Sequence, residues 1–528
     1  MSHLALPLLA PAILAALALH LLRREATPAK GQGPLAEIAA ALAFVLALAA
    51  AVQLAWFGPA TLTLLAPRGL GLSARLDIVG VTMLLLITFV GWVVLRFSRS
   101  YLAGEPGQSR FTGWICATLA AALLLVSAGN LLQLLVAWVA TSLCLHRLLL
   151  FYPARPAAQR AARKKFVVAR LADGALLLAC LLLFAGYGTG DIGAILAQAR
   201  SGPVPAGTGW AVALLVMAAL LKSAQFPAHG WLVEVMEAPT PVSALLHAGI
   251  INAGGFLLIR FADLLLTTPG ALAALVLIGG FTALLGGLVM LTQSAIKTSL
   301  AWSTVAQMGF MVLQCGLALF PLALLHIVAH SLYKAHAFLS SGWAVEQVAA
   351  TRRPGPVAVA SLRVVAQAFA FALALYALMG LSFGFADKSP QAIALGAILV
   401  FGVAYLIAQG LADAAPRALT LRTSAASIAA SLSYFLLQRF AQWLTAPTLP
   451  PIPPPTALEW ALIVLTLLSF GAVAFAQALF PYWAGHPALA GLRVHLANGF
   501  YGNAIFDRLT GGWARPTSSH LTSERSPS

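Results

Sequence analysis

Charged side chains are scarce in this sequence. Asp, Glu, Lys and Arg together make up 9% of the 528 residues, and only 15 residues are acidic. A soluble domain carries about a quarter charged residues, so this scarcity excludes a chain that faces water on all sides. Hydrophobic residues make up 61%, in runs that approach the roughly 20 residues needed for a bilayer-spanning helix.

Strict alternation of apolar and polar residues is also missing. Lipid offers no hydrogen-bond partners to the backbone, so a spanning chain must form helices or a closed barrel. Because the apolar runs are long and do not alternate, we expect helices. The sequence therefore predicts an all-α polytopic membrane protein.

Cysteine is rare, and its four positions exclude a disulfide framework or a cysteine metal site. Cys116, Cys144, Cys180 and Cys315 stand singly inside apolar segments, without the spacing that either site requires. The formal net charge is +16, but the basic residues cluster in short loops beside apolar runs. In that position they act as topology signals, so we expect membrane lipid around the chain and no nucleic acid partner.

About 15 transmembrane helices are expected, with the N-terminus outside. The first apolar run is followed, not preceded, by Arg23 and Arg24, which favours a retained helix over a cleaved signal. Fifteen spans place the basic loops at 23–30, 96–110, 153–165, 352–363 and 416–422 in the cytoplasm, as the positive-inside rule requires. A proline-rich connector is expected at 445–456 and a cytoplasmic tail after 483. The predicted spans are 4–22, 36–57, 76–95, 111–128, 130–152, 166–188, 208–226, 242–266, 270–292, 298–319, 321–347, 364–385, 390–413, 423–444 and 457–483.

Ionisable residues inside apolar spans cost several kcal/mol and therefore need a reason. Lys222 lies five residues before Pro227, which has no amide hydrogen and must break the helix. A lysine beside a break at membrane depth can lose and regain a proton, because burial favours its neutral form. The alternative is that Lys222 extends its amine to the membrane interface.

A second break is expected at Pro239 and Pro241, where Ser243 can cap a new helix that contains His247. His247 is either a proton relay or a hydrogen-bonded core residue. Lys297 begins a span with small polar residues at helical spacing. It either takes part in transfer or marks the cytoplasmic end of that span.

His326, His330 and Lys334 give the strongest signal. Residues at i, i+4 and i+8 of a helix share one face, so these three side chains form a stripe about 12 Å long, suited to proton hopping. The spacing His-x-x-x-His also occurs in zinc sites, but a third ligand is not apparent, so we expect no metal.

Buried cations normally need an acidic partner. Asp173, Glu234 and Glu237 are the candidates, although Asp173 can pair with Arg170 one helical turn away. Lys388, between two late spans, is a tentative distal lysine.

Together these residues resemble the antiporter-like membrane subunits of respiratory complex I and the multisubunit cation/proton antiporters. The resemblance covers about residues 111–345 and includes Lys222 to Pro227, Pro239 to His247, Lys297, and the His326–Lys334 stripe. It implies a central proton lysine, Lys222, joined by His247, Lys297, His326, His330 and Lys334. It also implies N-terminal helices at 1–110, inverted five-helix repeats at 111–266 and 267–415, and C-terminal helices with a cytoplasmic tail at 416–528.

One departure concerns the fifth helix, where the family usually has a glutamate after a tryptophan. Here Val139 follows Trp138. A shortened chain of this kind looks like the membrane subunit of the DAB inorganic-carbon accumulation complexes. That resemblance implies a bacterial inner-membrane location and a large soluble, zinc-containing, carbonic-anhydrase-like partner on the cytoplasmic face, driven by protons or Na+.

We therefore expect a transporter subunit with no cofactor of its own. The alternatives are a proton-pumping subunit of an NADH:quinone oxidoreductase or a multisubunit antiporter, and a membrane anchor whose channel is inactive because Val139 replaces the acid.

Overall fold

A computed structural model describes residues 6–23, 32–65, 67–350, 361–384, 388–410, 417–483 and 485–509. The predicted basic positions Arg24, Lys30, Arg352 and Arg353 and the end of the predicted tail lie outside these ranges. The N-terminal half of the chain forms the following elements: α1 Leu6–Arg23, α2 Gln32–Phe57, β1 Ala60–Leu65, β2 Leu72–Leu76, α3 Ile78–Tyr101, α4 Gln108–Val126, α5 Leu131–Leu149, α6 Pro156–Tyr187, α7 Ile192–Ser201, α8 Thr208–Lys222, α9 Gly230–Glu234, α10 Thr240–Ala248, α11 Ala253–Arg260 and α12 Ala262–Leu266.

The C-terminal half is also helical. Its elements are α13 Pro269–Met290, α14 Ile296–Gly316, α15 Phe320–Leu339, α16 Ser341–Ala350, α17 Leu362–Ser382, α18 Pro390–Gly410, α19 Arg417–Thr445, α20 Ala457–Ala478, α21 Phe480–Trp483, α22 Ala490–Ala497 and α23 Gly502–Leu509.

The predicted all-α membrane fold is confirmed. Within the described ranges, eleven helical stretches are long and apolar enough to cross a bilayer, and Thr208–Lys222 and Pro390–Ala404 are shorter apolar helices. The two remaining predicted spans coincide with α14 and α19, which contain 21 and 29 residues. The predicted connector is also observed, since α19 ends at Thr445 and α20 begins at Ala457.

Polar caps and a short hairpin organise one end of the bundle. Asp77 accepts a hydrogen bond from Gly80 N at the start of α3, and Asn130 does the same for Gln133 N in α5; both satisfy amides that a helix leaves unpaired. The antiparallel strands β1 and β2 lie beside them. By the positive-inside assignment, this is the extracytoplasmic end.

A buried ion pair joins the same end to α11. Arg260 donates to Asp77, and both side chains are almost fully buried. Arg75 also contacts Asp77, at 2.6 Å. Burial alone would raise the pKa of the Asp77 carboxyl, but the two guanidinium groups outweigh burial and lower that pKa to about 2.

Helices α13 and α14 pack through glycine. A Cβ on Gly279 would lie 2.6 Å from Leu313 N, and one on Gly309 would lie 2.5 Å from Ala283 N. Small residues let helix backbones approach closely where lipid supplies no hydrophobic drive for helix association.

Two kinds of break interrupt the spans, and one prediction about them is wrong. Pro239 and Pro241 lie at the start of α10, as expected, but Ser243 does not cap that helix, and its hydroxyl has no hydrogen-bond partner within the ranges given above. A cap at Ser243 would start the helix at residue 244, whereas α10 begins at Thr240, four residues earlier. The interruption inside the span instead follows His247, where Gly249 leads into a 3-10 turn at Ile250–Asn252.

Candidate functional site

The predicted break after Lys222 is present. Helix α8 ends at Lys222, Ala224 adopts a left-handed φ of 50°, and the chain becomes helical again at Gly230. Lys222 is 7% exposed. Its Nζ lies 4.4 Å from the ring centroid of Trp138 and has no hydrogen-bond partner in the described part of the chain.

Asp173 on α6 is the acidic residue whose charge acts on Lys222. Arg170 contacts Asp173 at 2.6 Å, and the charges of Lys222 and Lys165 also act on the carboxylate. Trp138 lies beside Lys222, with its ring centroid 4.4 Å from the amine. The Asp173 carboxylate therefore acts on Lys222 by its charge, and no direct ion pair joins the two among the described residues.

Lys165 is a site residue that the sequence reasoning missed. It is 4% exposed, and its Nζ donates to Ser142 O at 2.6 Å and Ser142 Oγ at 2.9 Å. The sequence places Lys165 in a loop, because the predicted span begins at 166, whereas α6 begins at Pro156. Its position eight residues before Asp173 was the available signal, since such spacing brings two side chains near one face of a helix.

His247 lies at the second interruption and is completely buried. Its Nδ1 is 3.0 Å from Thr304 Oγ1 on α14, and its ring stacks on Phe338 with centroids 4.4 Å apart. Its Nε2 has no hydrogen-bond partner among the residues described.

The stripe on α15 reaches His247. His330 Nε2 lies 3.1 Å from His247 O, and the rings of His326 and His330 are 6.0 Å apart. Lys334 is fully buried and donates to Leu300 O at 3.0 Å. Thr304, the partner of His247, donates to the same Leu300 carbonyl.

Backbone and hydroxyl groups bridge the two interruptions. Ser223, next to Lys222, donates to Ile251 O at 3.4 Å, and Asn252 donates to Ser331 Oγ at 2.9 Å. Ser331 follows His330. Polar groups therefore lead from the end of α8, through the turn after α10, to α15.

The remaining predicted residues lie at the periphery. Lys297 donates to Thr240 Oγ1 at 3.0 Å, at the start of α10. Glu234 contacts Lys164, and Glu237 contacts Arg155 while 45% exposed, so neither ion pair involves Lys222.

Lys388 donates to Gln438 Oε1 at 2.9 Å and lies over the Phe435 ring at 3.9 Å. Burial, aided by Arg439, lowers the pKa of the Lys388 amine to about 8. Within the described ranges, no hydrogen bond joins Lys388 to the His326–Lys334 stripe. The same residues contain no group of three or more His, Cys, Asp or Glu side chains that could hold a metal ion.

Comparison with known proteins identifies the family of this chain. Residues 128–388 match the family described as "NADH:quinone oxidoreductase/Mrp antiporter, TM", and residues 68–112 match "NADH-Ubiquinone oxidoreductase (complex I), chain 5 N-terminus". Over 482 residues, 88% of this chain and 86% of the relative, the sequence is 41% identical to "Probable inorganic carbon transporter subunit DabB2" of Halothiobacillus neapolitanus. The chain belongs to the antiporter-like membrane subunit family.

Other relatives match over about half their length. The chain is 49% identical over 266 residues to "Probable inorganic carbon transporter subunit DabB" of Hydrogenovibrio crunogenus, which covers 50% of this chain and 51% of that protein. It is 37% identical over 276 residues to "NADH-quinone oxidoreductase subunit L" of Escherichia coli, covering 52% and 45%. These bacterial relatives are consistent with a multi-pass protein of a bacterial membrane.

A solved structure has the same fold. The Mrp complex from Dietzia sp. DQ12-45-1b aligns with 96% of this chain and 57% of its own chain, at 25% identity and a TM-score of 0.58.

Proposed function

We propose that this antiporter-like subunit conducts protons within an energy-coupled inorganic-carbon uptake complex of the bacterial inner membrane. The observation that carries the carbon assignment is the 41% identity over 88% of the chain to a protein named as a probable inorganic carbon transporter subunit. The observation that carries proton conduction is the buried series of amines and imidazoles around the two helix interruptions.

The path runs from Lys222 to His247 and then along His326, His330 and Lys334. Each side chain can hold a proton at a nitrogen, and Ser223, Asn252, Ser331 and Thr304 supply hydroxyl and amide groups between them. Lys297, which is hydrogen-bonded to Thr240, exchanges protons with this path at its cytoplasmic end. Protons fit this series better than Na+, because a protonated amine is only a donor and cannot coordinate a cation.

Asp173 takes the role of the carboxylate that Val139 does not provide. A negative charge near an amine favours its protonated form, and loss of that influence favours the neutral form. Arg170 competes for Asp173 at 2.6 Å. A shift of Asp173 between Arg170 and Lys222 would therefore change the proton affinity of the central amine. Glu234 and Glu237 have other cationic partners, and in this proposal they act on the proton path from the cytoplasmic surface. Lys388 acts at the distal end of the same path.

The partner in this proposal is a large soluble, zinc-containing, carbonic-anhydrase-like subunit on the cytoplasmic face. Proton flow through the chain would drive one-way hydration of CO2 to bicarbonate in that partner.

Growth of a host without carbonic anhydrase tests both parts of the proposal. Co-expression of the chain with the proposed soluble, zinc-containing subunit should restore growth in air, and neither gene alone should do so. Lys222→Met should abolish rescue at equal protein level, because it keeps side-chain length and removes the titratable amine. Failure of the wild-type pair to restore growth contradicts the carbon assignment.

The second candidate is a proton-pumping subunit of an NADH:quinone oxidoreductase or a multisubunit antiporter, favoured by the 37% identity to subunit L. Purification of the native complex distinguishes the two. Flavin and iron–sulfur subunits in that complex would support the second candidate, whereas a single zinc-containing soluble subunit would support the first.

A further inference from the structure

His229 is a buried histidine that the path described above does not use. It is 1% exposed and lies in the non-helical segment between α8 and α9. Neither ring nitrogen has a hydrogen-bond partner among the described residues. Its ring stacks on Phe226 with centroids 5.7 Å apart and lies 5.1 Å from the ring of Trp302.

A charged cluster lies between His229 and the cytoplasm. Lys164 contacts Glu234 at 2.6 Å and Asp507 at 2.5 Å, and it donates to Asn503 Oδ1 at 2.8 Å. The side chains of Lys164, Glu234 and Asp507 are 4%, 29% and 40% exposed, so the cluster leads from water into the protein. The charge of Lys164 acts on the His229 ring.

The segment 499–509 covers this cluster and the histidine. A Cβ on Gly502 would lie 3.1 Å from Phe226 and 3.5 Å from His229 Cε1. Asn503 packs so closely on Gly230 that a Cβ there would lie 1.7 Å from its Oδ1. Glycine at these two positions therefore allows the segment to lie directly over the interrupted helix.

Further unpaired polar atoms continue inward from His229. Gln225 is 2% exposed, and its Oε1, like Lys222 Nζ, has no hydrogen-bond partner in the described chain. Buried polar groups are almost always satisfied by protein or ordered water. A row of such atoms along one interrupted helix is the arrangement expected of a hydrated route, because irregular backbone at membrane depth lines cavities.

We propose that His229 is the entry group of the proton path, which receives protons from the cytoplasm at the Lys164–Glu234–Asp507 cluster and passes them to Lys222 by way of water held at Gln225 Oε1. This inference rests on the proposed proton conduction and adds its cytoplasmic entrance. In each transfer one imidazole nitrogen takes a proton from a hydronium ion at the cluster, and the ring then releases a proton toward the neutral amine of Lys222. The ring returns to its neutral form, as the other tautomer when different nitrogens gain and lose the proton.

Two substitutions separate proton transfer from packing. His229→Phe keeps a ring between Phe226 and Trp302 but cannot titrate. The matched control is His495→Phe, because His495 also packs between two rings, those of Phe500 and Tyr501, but is exposed. Everted membrane vesicles that contain the full chain are energised with a K+ diffusion potential, and proton movement is followed with a pH-sensitive dye.

We expect His229→Phe to slow proton movement by about 100-fold, the lower end of the effect of a lost acid–base group, and His495→Phe to leave the rate unchanged. In a second arm, His229→Ala should regain part of its rate in millimolar imidazole, while His495→Ala should not respond. A purely structural ring does not predict this rescue.

The outcomes distinguish this inference from the proposed function. If wild type conducts and His229→Phe conducts equally well, His229 is a packing residue and the inference is overturned. Slow conduction by both His229 variants without imidazole rescue also overturns it. If wild type itself moves no protons, the proposed conduction fails and the inference fails with it.

Discussion

Gly254 is where α11 meets the interrupted end of α8. An added Cβ would lie 2.2 Å from Ser223 Oγ and 2.5 Å from Ala219 O. Ordinary van der Waals contact begins at 3.4 Å, so Gly254→Ala must push the two helices apart by roughly 1 Å at the backbone oxygen. Such overpacking costs about 1–3 kcal/mol of stability.

The same displacement should also reduce proton conduction. Ser223 follows Lys222 directly, so a shift of Ser223 moves the central amine relative to its neighbours. A 1 Å error in a proton-transfer geometry can cost on the order of 100-fold in rate. We expect Gly254→Ala to lower both thermal stability in detergent and the rate of proton movement in energised vesicles.

Gly255→Ala is the matched control. Its added Cβ would meet Met311 Sδ at 2.1 Å and Met311 Cε at 2.6 Å, the far end of a flexible side chain that can move aside. Gly255→Ala should therefore cost less stability and leave conduction near wild type. Equal stability and rate for Gly254→Ala and wild type would refute the reasoning.

Three further predictions concern buried charges. Asp77→Asn should lower the free energy of unfolding by about 3–5 kcal/mol, because it leaves the buried Arg260 without its acid; a loss below 1 kcal/mol in a denaturation experiment would contradict this. The lowered pKa of Asp77, about 2, means that its stabilisation is fully present above its unfolded pKa near 4 and is lost only as pH falls through 2. Stability measured between pH 5 and 8 should therefore carry no contribution from its titration. Asp173→Asn should slow proton movement by at least about tenfold without loss of assembly, and a wild-type rate would show that Lys222 needs no acid. Lys164→Gln should increase hydrogen exchange in segment 499–509, since it removes the charge that holds Glu234 and Asp507, and unchanged exchange by mass spectrometry would argue against this contact.

The spans were predictable because a helix that crosses a bilayer must consist mostly of apolar residues. Each predicted span has a helical counterpart, and Pro227 interrupts the chain where its missing amide requires. The second break lies at Pro239 and Pro241 as the sequence predicts, because both prolines fit the start of α10, where their missing amides cost little. The cap at Ser243 is wrong, and the further interruption at Gly249 was not predicted, since single glycines inside apolar runs are too common to signal it.

The site was predictable along one helix but not between helices. His326, His330 and Lys334 share a face by spacing alone, whereas the contact of His247 O with His330 joins residues 83 positions apart. Lys165 was missed because a positive charge near a span end also marks topology. His229 was missed because its significance comes from what surrounds it: Trp302, Lys164 and a segment more than 270 residues later in the chain.

The central claim is that buried amines and imidazoles move protons through this chain, and the most direct test is the rate of proton movement in energised vesicles with Lys222→Met. The account predicts that this rate falls to that of vesicles without the protein, while the variant remains folded and inserted. A rate equal to wild type would contradict the account, because protons would then cross without the amine at the centre of the proposed path.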